Sequence, residues 1–232
     1  MSERRVRRSW LFHWIGRFAV AALAAVCLYL AACVAGLFLL RIVDPPITGV
    51  QLQRAIEARL DGAAYARRYE FVPLSAIGEH LRHAVVVAED GRFLEHGGVD
   101  WLEIEKYLQE ELPRGRVRGA STITQQLVKN LFMTTHANPL RKPAELLLAP
   151  VAERVLGKQR ILELYLNVVE WGPGIHGAEA AARHYYHRPA SDLSREQAAR
   201  LAACLPSPLR RRPERMNEYS AQILRRMESR HW

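Results

Sequence analysis

From Phe18 to Leu40 the chain carries no charged residue and consists largely of Ala, Leu and Val. A run of that length, about 20 residues or more, crosses the hydrocarbon core of a bilayer as a helix. Arg4, Arg5, Arg7, Arg8 and Arg17 precede it, and the positive-inside rule then puts the N-terminus in the cytoplasm. The expected organisation is a cytoplasmic basic segment (1–17), a transmembrane helix (18–40) and an outer domain (41–232) that includes a basic C-terminal tail. A cleavable signal peptide has a shorter apolar core, although Ala-x-Ala-like patterns in this run leave cleavage open.

The formal charge of +9 is placed at the two ends: residues 1–41 carry +5 and the tail beyond Pro208 carries +4, which together account for all of it. A nucleic-acid binder would carry its basic stripe on the folded domain. A neutral domain flanked by arginines fits an anionic membrane surface instead, and no nucleic-acid partner is expected. Cys27 and Cys33 lie in the apolar run and Cys204 stands alone beyond it, so no disulfide is implied for the outer domain.

Helical periodicity dominates the chain beyond Leu40, no hairpin signal is clear, and the domain reads as mainly α. Val50–Leu60 has an amphipathic spacing in Leu52, Ala55, Ile56 and Leu60. Residues 64–73 read as extended. A helix starting at Leu74-Ser75, with Ile77, Leu81, Ala84, Val85 and Ala88 on one face, ends at Glu89. Trp101–Leu112 is spaced for a second helix with Trp101, Ile104, Tyr107 and Leu108 on one side. The loop Pro113–Gly119, with Arg114, Arg116 and Arg118 between glycines, is expected to order over a bound anionic substrate.

Five clusters carry the chemistry. The first is Ala88 to Asp100, where Glu89 and Asp90 end an apolar run and Phe93, His96, Gly97 and Gly98 come after them. A carboxylate at the end of such a run is partly buried, and burial raises its pKa, which suits a general base; a simply solvated helix end is the alternative. The second is Arg118 to Leu131. Ser121 or Thr122 caps a helix on which Thr122, Gln126, Lys129 and Asn130 share one face beside apolar Ile123, Leu127 and Leu131. Solvated faces usually carry Glu and Lys; Thr, Gln, Lys and Asn instead offer hydrogen bonds to sugar hydroxyls and phosphate. In the third, Arg141 and Lys142 sit at a helix N-terminus with Pro143 in the first turn, a site for phosphate or pyrophosphate. Glu145 in the same turn either complements the helix dipole or is a second working carboxylate. Pro150 is expected to kink this helix. The fourth, Lys158 to Asn167 with the glycines after it, and the fifth, Glu196 to Pro208, read mostly as scaffold.

In this order the five clusters resemble the peptidoglycan glycosyltransferases of family 51, the glycosyltransferase module of class A penicillin-binding proteins. The resemblance runs from about Pro73 to the tail, and the Glu-Asp-x-x-Phe-x-x-His and Gly-x-Ser-Thr-Ile-Thr-Gln-Gln-Leu-x-Lys-Asn-Leu stretches are individually specific. It implies a lysozyme-like helical domain on the periplasmic side of the cell inner membrane, polymerising lipid II into glycan strands. By this resemblance Glu89 is the general base that deprotonates the 4-hydroxyl of the acceptor N-acetylglucosamine. That oxygen attacks C1 of the donor N-acetylmuramic acid with inversion, and undecaprenyl pyrophosphate leaves. The second family carboxylate falls on Glu145, and Asp90, Phe93, His96, Ser121, Thr122, Gln126, Lys129, Asn130, Arg141 and Lys142 match the substrate-binding motif positions. The implied partners are lipid II, the growing strand, the membrane, and cell-division or wall-synthesis proteins. A divalent cation such as magnesium often assists in the family, although no metal-ligand motif here demands one.

Departures from the family pattern are few. Pro143 and Pro150 are atypical near the third motif, and Tyr186 and Arg188 stand where Phe and Lys are usual. The residues three before Lys106, Lys129, Lys142 and Lys158 are Glu103, Gln126, Pro139 and Val155, so the Ser-x-x-Lys site of a transpeptidase domain is not expected. Paired carboxylates alone would permit a lysozyme-like glycan-cleaving enzyme. Against that, a neutral sugar leaving group needs no cluster of Lys129, Arg141 and Lys142. A non-catalytic membrane-anchored wall scaffold is the other alternative, and the presence of both Glu89 and Glu145 argues against it.

Overall fold

The apolar run forms the lower part of α1 (Glu3–Leu40), and its last turns belong to the domain's core. Residues 3–111, 121–136 and 138–232 are described by this computed structural model; the loop Pro113–Gly119 lies outside them. His13–Leu40 is long and apolar enough to cross a membrane. Cys33, Leu37 and Leu40, one face of the helix, are buried in the same core as residues of α5 (Ile123–Phe132) and α6 (Arg141–Val168). The Tyr29 hydroxyl donates to the carbonyl of Phe132 (2.9 Å). Packed contact therefore extends over the 12 residues from Tyr29 to Leu40, about 18 Å of helix. Fully burying a leucine such as Leu37 contributes roughly 1.5–3 kcal/mol.

Beyond the membrane helix, α2 (Gly49–Leu60) starts at Thr48 with a capping box: Thr48 Oγ1 accepts from Gln51 N–H, and Gln51 Oε1 accepts from Thr48 N–H. The helix matches the sequence expectation, but its faces are reversed. Leu52, Ile56 and Leu60 are exposed, whereas Gln51 and Gln53 are buried. Gln51 Oε1 and both ends of the Gln53 amide are paired, which offsets the cost of burying them. Gln53 Nε2 donates to Glu57 (2.6 Å) and Thr135 Oγ1 (2.8 Å), and its Oε1 accepts from Thr135 N–H (2.7 Å).

A 3₁₀ turn at Leu74–Ala76 precedes α3 (Glu79–Glu89), so the helix expected from Leu74 starts later. Ile77 and Gly78 are extended, and a Cβ on Gly78 would lie 2.9 Å from the carbonyl oxygen of Ser191. The 190–191 segment approaches closely there, and Gly78 N–H donates to the carbonyl of Ala190 (3.1 Å) rather than within a helix. Leu81, Ala84, Val85, Val86 and Val87 then bury α3 against α8 (Arg195–Ala202) and α9 (Asn217–Glu228). Ala198, Ala199, Ala202 and Ala203 are fully buried and let these helices approach closely.

Other expectations are corrected. α4 (Trp101–Lys106) passes into a π-helical turn, Tyr107–Glu111, and the supposed core face is not core: Trp101 and Leu108 are exposed. Pro150 lies within α6, and the departure from helical backbone falls at Gly157 (φ 73°, ψ 163°). A hairpin is also present. β2 (Glu170–Gly172) turns at Pro173-Gly174 into antiparallel β3 (Ile175–His176), with β1 (Arg68–Tyr69) parallel on its other side. Strands this short, buried on both faces, leave no alternating pattern to read. α7 (Ala178–Tyr186) comes next and packs its alanines inward. The core centres on α5 and α6, with Trp171, Tyr165 and Phe93 its largest fully buried side chains.

Because Cys33, Leu37 and Leu40 complete that core, the mature protein in membrane extracts should retain α1. N-terminal sequencing that places the mature terminus beyond Leu40 would contradict this.

Candidate active site

α3 and the cap of α5 build the site. Glu89 is the last residue of α3, and Asp90 leaves the helix at φ −157°, ψ 75°. Asp90 Oδ2 accepts from the backbone N–H of Ile123 (3.0 Å), one of the free donors at the start of α5. The same carboxylate accepts from His96 Nε2 (2.9 and 3.1 Å). Gly98 N–H donates to His96 Nδ1 (3.1 Å), which assigns the proton to Nε2. Thr122 closes the clamp: its hydroxyl donates to the carbonyl of Gly98 (2.6 Å) while its Oγ1 accepts from Gln125 N–H (3.2 Å), and Gln125 Oε1 accepts from Thr122 N–H (3.2 Å). Of the two capping candidates, Thr122 is the cap.

This clamp holds Glu89 against α5. Gln126 Nε2 donates to Glu89 Oε2 (2.7 Å), and the Tyr165 hydroxyl of α6 donates to Gln126 Oε1 (3.1 Å). Burial pushes the Glu89 carboxyl above its ordinary value; the Gln126 hydrogen bond, Lys129 and Arg211 oppose the rise without cancelling it, and Asp90 adds to it. Burial lowers the Lys129 ammonium, opposed by Glu145 and Glu89.

Across the cleft, Glu145 is 2% exposed and holds two cations. Arg141 Nη1 and Lys142 Nζ (3.1 Å) both donate to it. Lys142 Nζ also donates to Ser121 Oγ (2.8 Å) and Gln125 Oε1 (3.2 Å), tying the start of α6 to the start of α5. Glu89, Asp90, Ser121, Thr122, Gln126, Lys129, Arg141 and Glu145 thus line one cleft of about 1040 Å³.

Three expected site residues stand behind its wall. Phe93 is 1% exposed, with Lys158 Nζ 4.4 Å above its ring. His96 is turned to Asp90, and Asn130 Nδ2 donates to the backbone carbonyl of Gln126 (2.8 Å). Lys158 secures this layer by donating to the His96 carbonyl (2.7 Å) and to Glu153 (2.8 Å), which also accepts from Thr124 Oγ1 (2.6 Å). The cleft also receives residues read from sequence only as a basic tail. Arg211, Tyr219, Arg226 and Arg230 line it, and the Arg211 guanidinium sits 5.4 Å from the Tyr219 ring centroid. The apolar packing of α9 at Ile223 and Met227 is the local signal that this segment folds back onto the domain.

Asp90, His96 and Asp100 bring possible metal-ligand atoms within 4.8 Å of one another. They do not fit a divalent ion. Asp90 accepts from Ile123 N–H and His96, His96 Nδ1 accepts from Gly98 N–H, and Asp100 Oδ1 caps α4 through Glu103 N–H (3.0 Å) beside Arg92 (3.6 Å). A cation here would dismantle the clamp, and no step of the reaction is routed through one.

A mainly α, lysozyme-like domain on a membrane-length helix, with two carboxylates and a cation cluster lining one cleft, fits a glycosyltransferase. The chain belongs to the Transglycosylase family, whose model matches residues 56–228. A biosynthetic peptidoglycan transglycosylase of Bordetella pertussis (strain Tohama I) is 47% identical over 193 residues, covering 79% of this chain and 80% of its own. Proteins of the same name from Thiobacillus denitrificans and Aeromonas hydrophila are 44% and 43% identical, over 85% and 94% of this chain and 86% and 90% of theirs.

Gly98 generates a direct test of the clamp. Its φ is +98°, and an added Cβ would lie 2.7 Å from the carbonyl carbon and oxygen of Ala149. Gly98→Ala should destabilise the domain by about 1–3 kcal/mol, a melting-temperature loss of about 2–10 °C in detergent. An unchanged melting temperature would contradict the geometry.

Proposed function

We propose that this protein polymerises lipid II into glycan strands, inverting configuration at C1 and releasing undecaprenyl pyrophosphate. The observation that carries the proposal is the division of labour in the cleft: a half-buried carboxylate whose proton affinity is raised, Glu89, lines the same cleft as the cations gathered by a buried carboxylate, Glu145.

Glu89 takes the proton from the acceptor 4-hydroxyl as that oxygen attacks C1 of the donor. A hydroxyl is a poor nucleophile at neutral pH, so a base within hydrogen-bond reach is required. A raised pKa brings Glu89 nearer to the pH at which it works. The bond from C1 to the pyrophosphate oxygen breaks, and negative charge accumulates on the leaving group. Arg141, Lys142 and Lys129 neutralise it, an electrostatic contribution that is often the largest in such reactions. Glu145 acts by holding Arg141 and Lys142 in place. Phe93, His96 and Asn130, behind the cleft wall, act on the substrate by supporting the residues that line it.

The proposed location is supported by the apolar helix and the arginines before it. α1 anchors the chain in the cell inner membrane with its arginines cytoplasmic and residues 41–232 periplasmic. The outward stripe of Leu52, Ile56 and Leu60, close in sequence to the end of the membrane helix, suits the lipid boundary from which a lipid-linked donor is taken. Cell-division and wall-synthesis proteins are the proposed protein partners.

Glu89→Gln keeps size and one hydrogen-bonding edge but accepts no proton. Polymerisation should fall ~10²–10⁴-fold, about 3–5 kcal/mol of barrier, with lipid II still bound. The wild-type rate should fall on the acid side of the pH profile, and that limb should vanish in the variant. Because the folded-state pKa is raised, an ionised Glu89 costs stability at neutral pH, and Glu89→Gln should not lower the melting temperature there. A folded, lipid II-binding variant with near-normal turnover would refute the base assignment.

Lys142→Ala should weaken both donor binding and turnover. Donor affinity and rate both equal to wild type would remove Lys142 from the pyrophosphate site.

A further inference from the structure

Tyr165 looks like core by every local criterion. It lies on α6 between Leu164 and Leu166, all three wholly buried. Its hydroxyl, however, reaches out of the core to a residue of the cleft. It donates to Gln126 Oε1 (3.1 Å), and the other end of that amide, Nε2, donates to Glu89 Oε2 (2.7 Å). A primary amide has one accepting and one donating edge, and a half-turn about its last bond exchanges them. In one orientation Gln126 stabilises an ionised Glu89. In the other its oxygen confronts the carboxylate, which is tolerable only when Glu89 is protonated.

We propose that Tyr165 is a positioning residue for the reaction: by donating to Gln126 Oε1 it holds the amide with its N–H edge toward Glu89, so that Glu89 enters the cycle as a base. The inference rests on Glu89 being that base. Burial holds the Tyr165 hydroxyl protonated, its pKa well above the ordinary tyrosine value, so it keeps a proton to donate. The arrangement drawn is the one matched to an ionised Glu89. Once Glu89 has taken the acceptor's proton, a half-turn of the amide lets Glu89 donate to Gln126 Oε1, at the cost of the Tyr165 hydrogen bond, which draws the amide back when the proton leaves. No covalent bond changes in this reversal.

Other groups also bear on Glu89. Lys129 of α5 and Arg211 favour its charged form, Asp90 disfavours it, and Arg226 and Arg230 line the same cleft. Tyr165 differs from these in acting through Gln126 alone, and this gives the proposal a distinct signature.

The experiment is the pH dependence of lipid II polymerisation by the full-length detergent-solubilised protein in four forms: wild type, Tyr165→Phe, Gln126→Ala and the double variant. Phe keeps the buried ring and removes only the hydroxyl. One neutral hydrogen bond should be worth up to about tenfold, so the acid limb of kcat in Tyr165→Phe should move up by as much as about one pH unit. On the acid side of the limb kcat should drop by up to about tenfold, while lipid II affinity stays at the wild-type value. In the Gln126→Ala background, Tyr165→Phe should move the limb no further. An unmoved limb with intact kcat, or a second shift that adds to the first, would overturn the proposal. Should Tyr165→Phe not fold, a ring-fluorinated tyrosine at position 165, which keeps the buried ring and makes the hydroxyl a stronger donor to Gln126 Oε1, takes its place: the limb moving down supports the relay, and an unmoved limb overturns it. Glu89→Gln run alongside separates the two readings. If the acid limb persists there, the base assignment fails; if it vanishes there while Tyr165→Phe leaves the limb in place, only the Tyr165 proposal fails.

Discussion

The Asp90 carboxylate joins three pieces of chain at one point. It receives the first backbone N–H of α5, it receives His96 from the loop after α3, and it is itself the residue at which α3 ends. A charged acceptor at a helix N-terminus makes stronger hydrogen bonds than a neutral one and is further favoured by the helix dipole. Because the clamp is buried, its groups have little water to turn to, and the Asp90 carboxylate, the His96 ring nitrogens and the Thr122 hydroxyl are all paired within it. The position of Glu89 one residue earlier, and so its meeting with Gln126, is set by this junction. Thr122, Gly98 and the Lys158–Glu153 pair reinforce it from two further sides.

The two carboxylates of the cleft are treated differently by the fold. Glu89 has a neutral amide as its nearest partner, and burial raises its affinity for a proton. Glu145 has two cations in direct contact and organises them. Placing like groups in unlike surroundings is the general way one site supplies both a proton acceptor and a charge-neutralising wall. Lys129, whose own charge is disfavoured by burial, feels both carboxylates and links the two halves.

Much of this is legible in the sequence where the cause is local. The apolar run before Glu89, the capping box around Thr122 and the cations beside Pro143 each lie within a few residues of what they determine, and α3, α5 and the start of α6 form accordingly. What is not legible depends on partners far along the chain. The inward turn of Gln53 on α2 is satisfied by Thr135, 82 residues away, so periodicity alone points the apolar stripe to the wrong side. Tyr165 has ordinary core spacing, and its working contact lies 39 residues away. Arg211 reads as tail charge until α9 folds back along α3 and brings it to the cleft. Phe93 and His96 are legible as important but not as buried, because a motif records which residues are needed and not which of them touches the substrate. Gly157, not Pro150, breaks α6, since a proline within a helix removes one hydrogen bond whereas a glycine at positive φ leaves the helical conformation altogether.

The central claim is that the fold raises the proton affinity of Glu89 while holding it beside a donor that favours its charge. Its most direct test is the titration of that single carboxyl, read as the difference between the carboxyl infrared or ¹³C NMR signals of wild type and Glu89→Gln in the same detergent. The account predicts one carboxyl that titrates above the ordinary glutamate value of about 4.3 and is absent from the variant. A Glu89 signal that titrates at or below that value would contradict it.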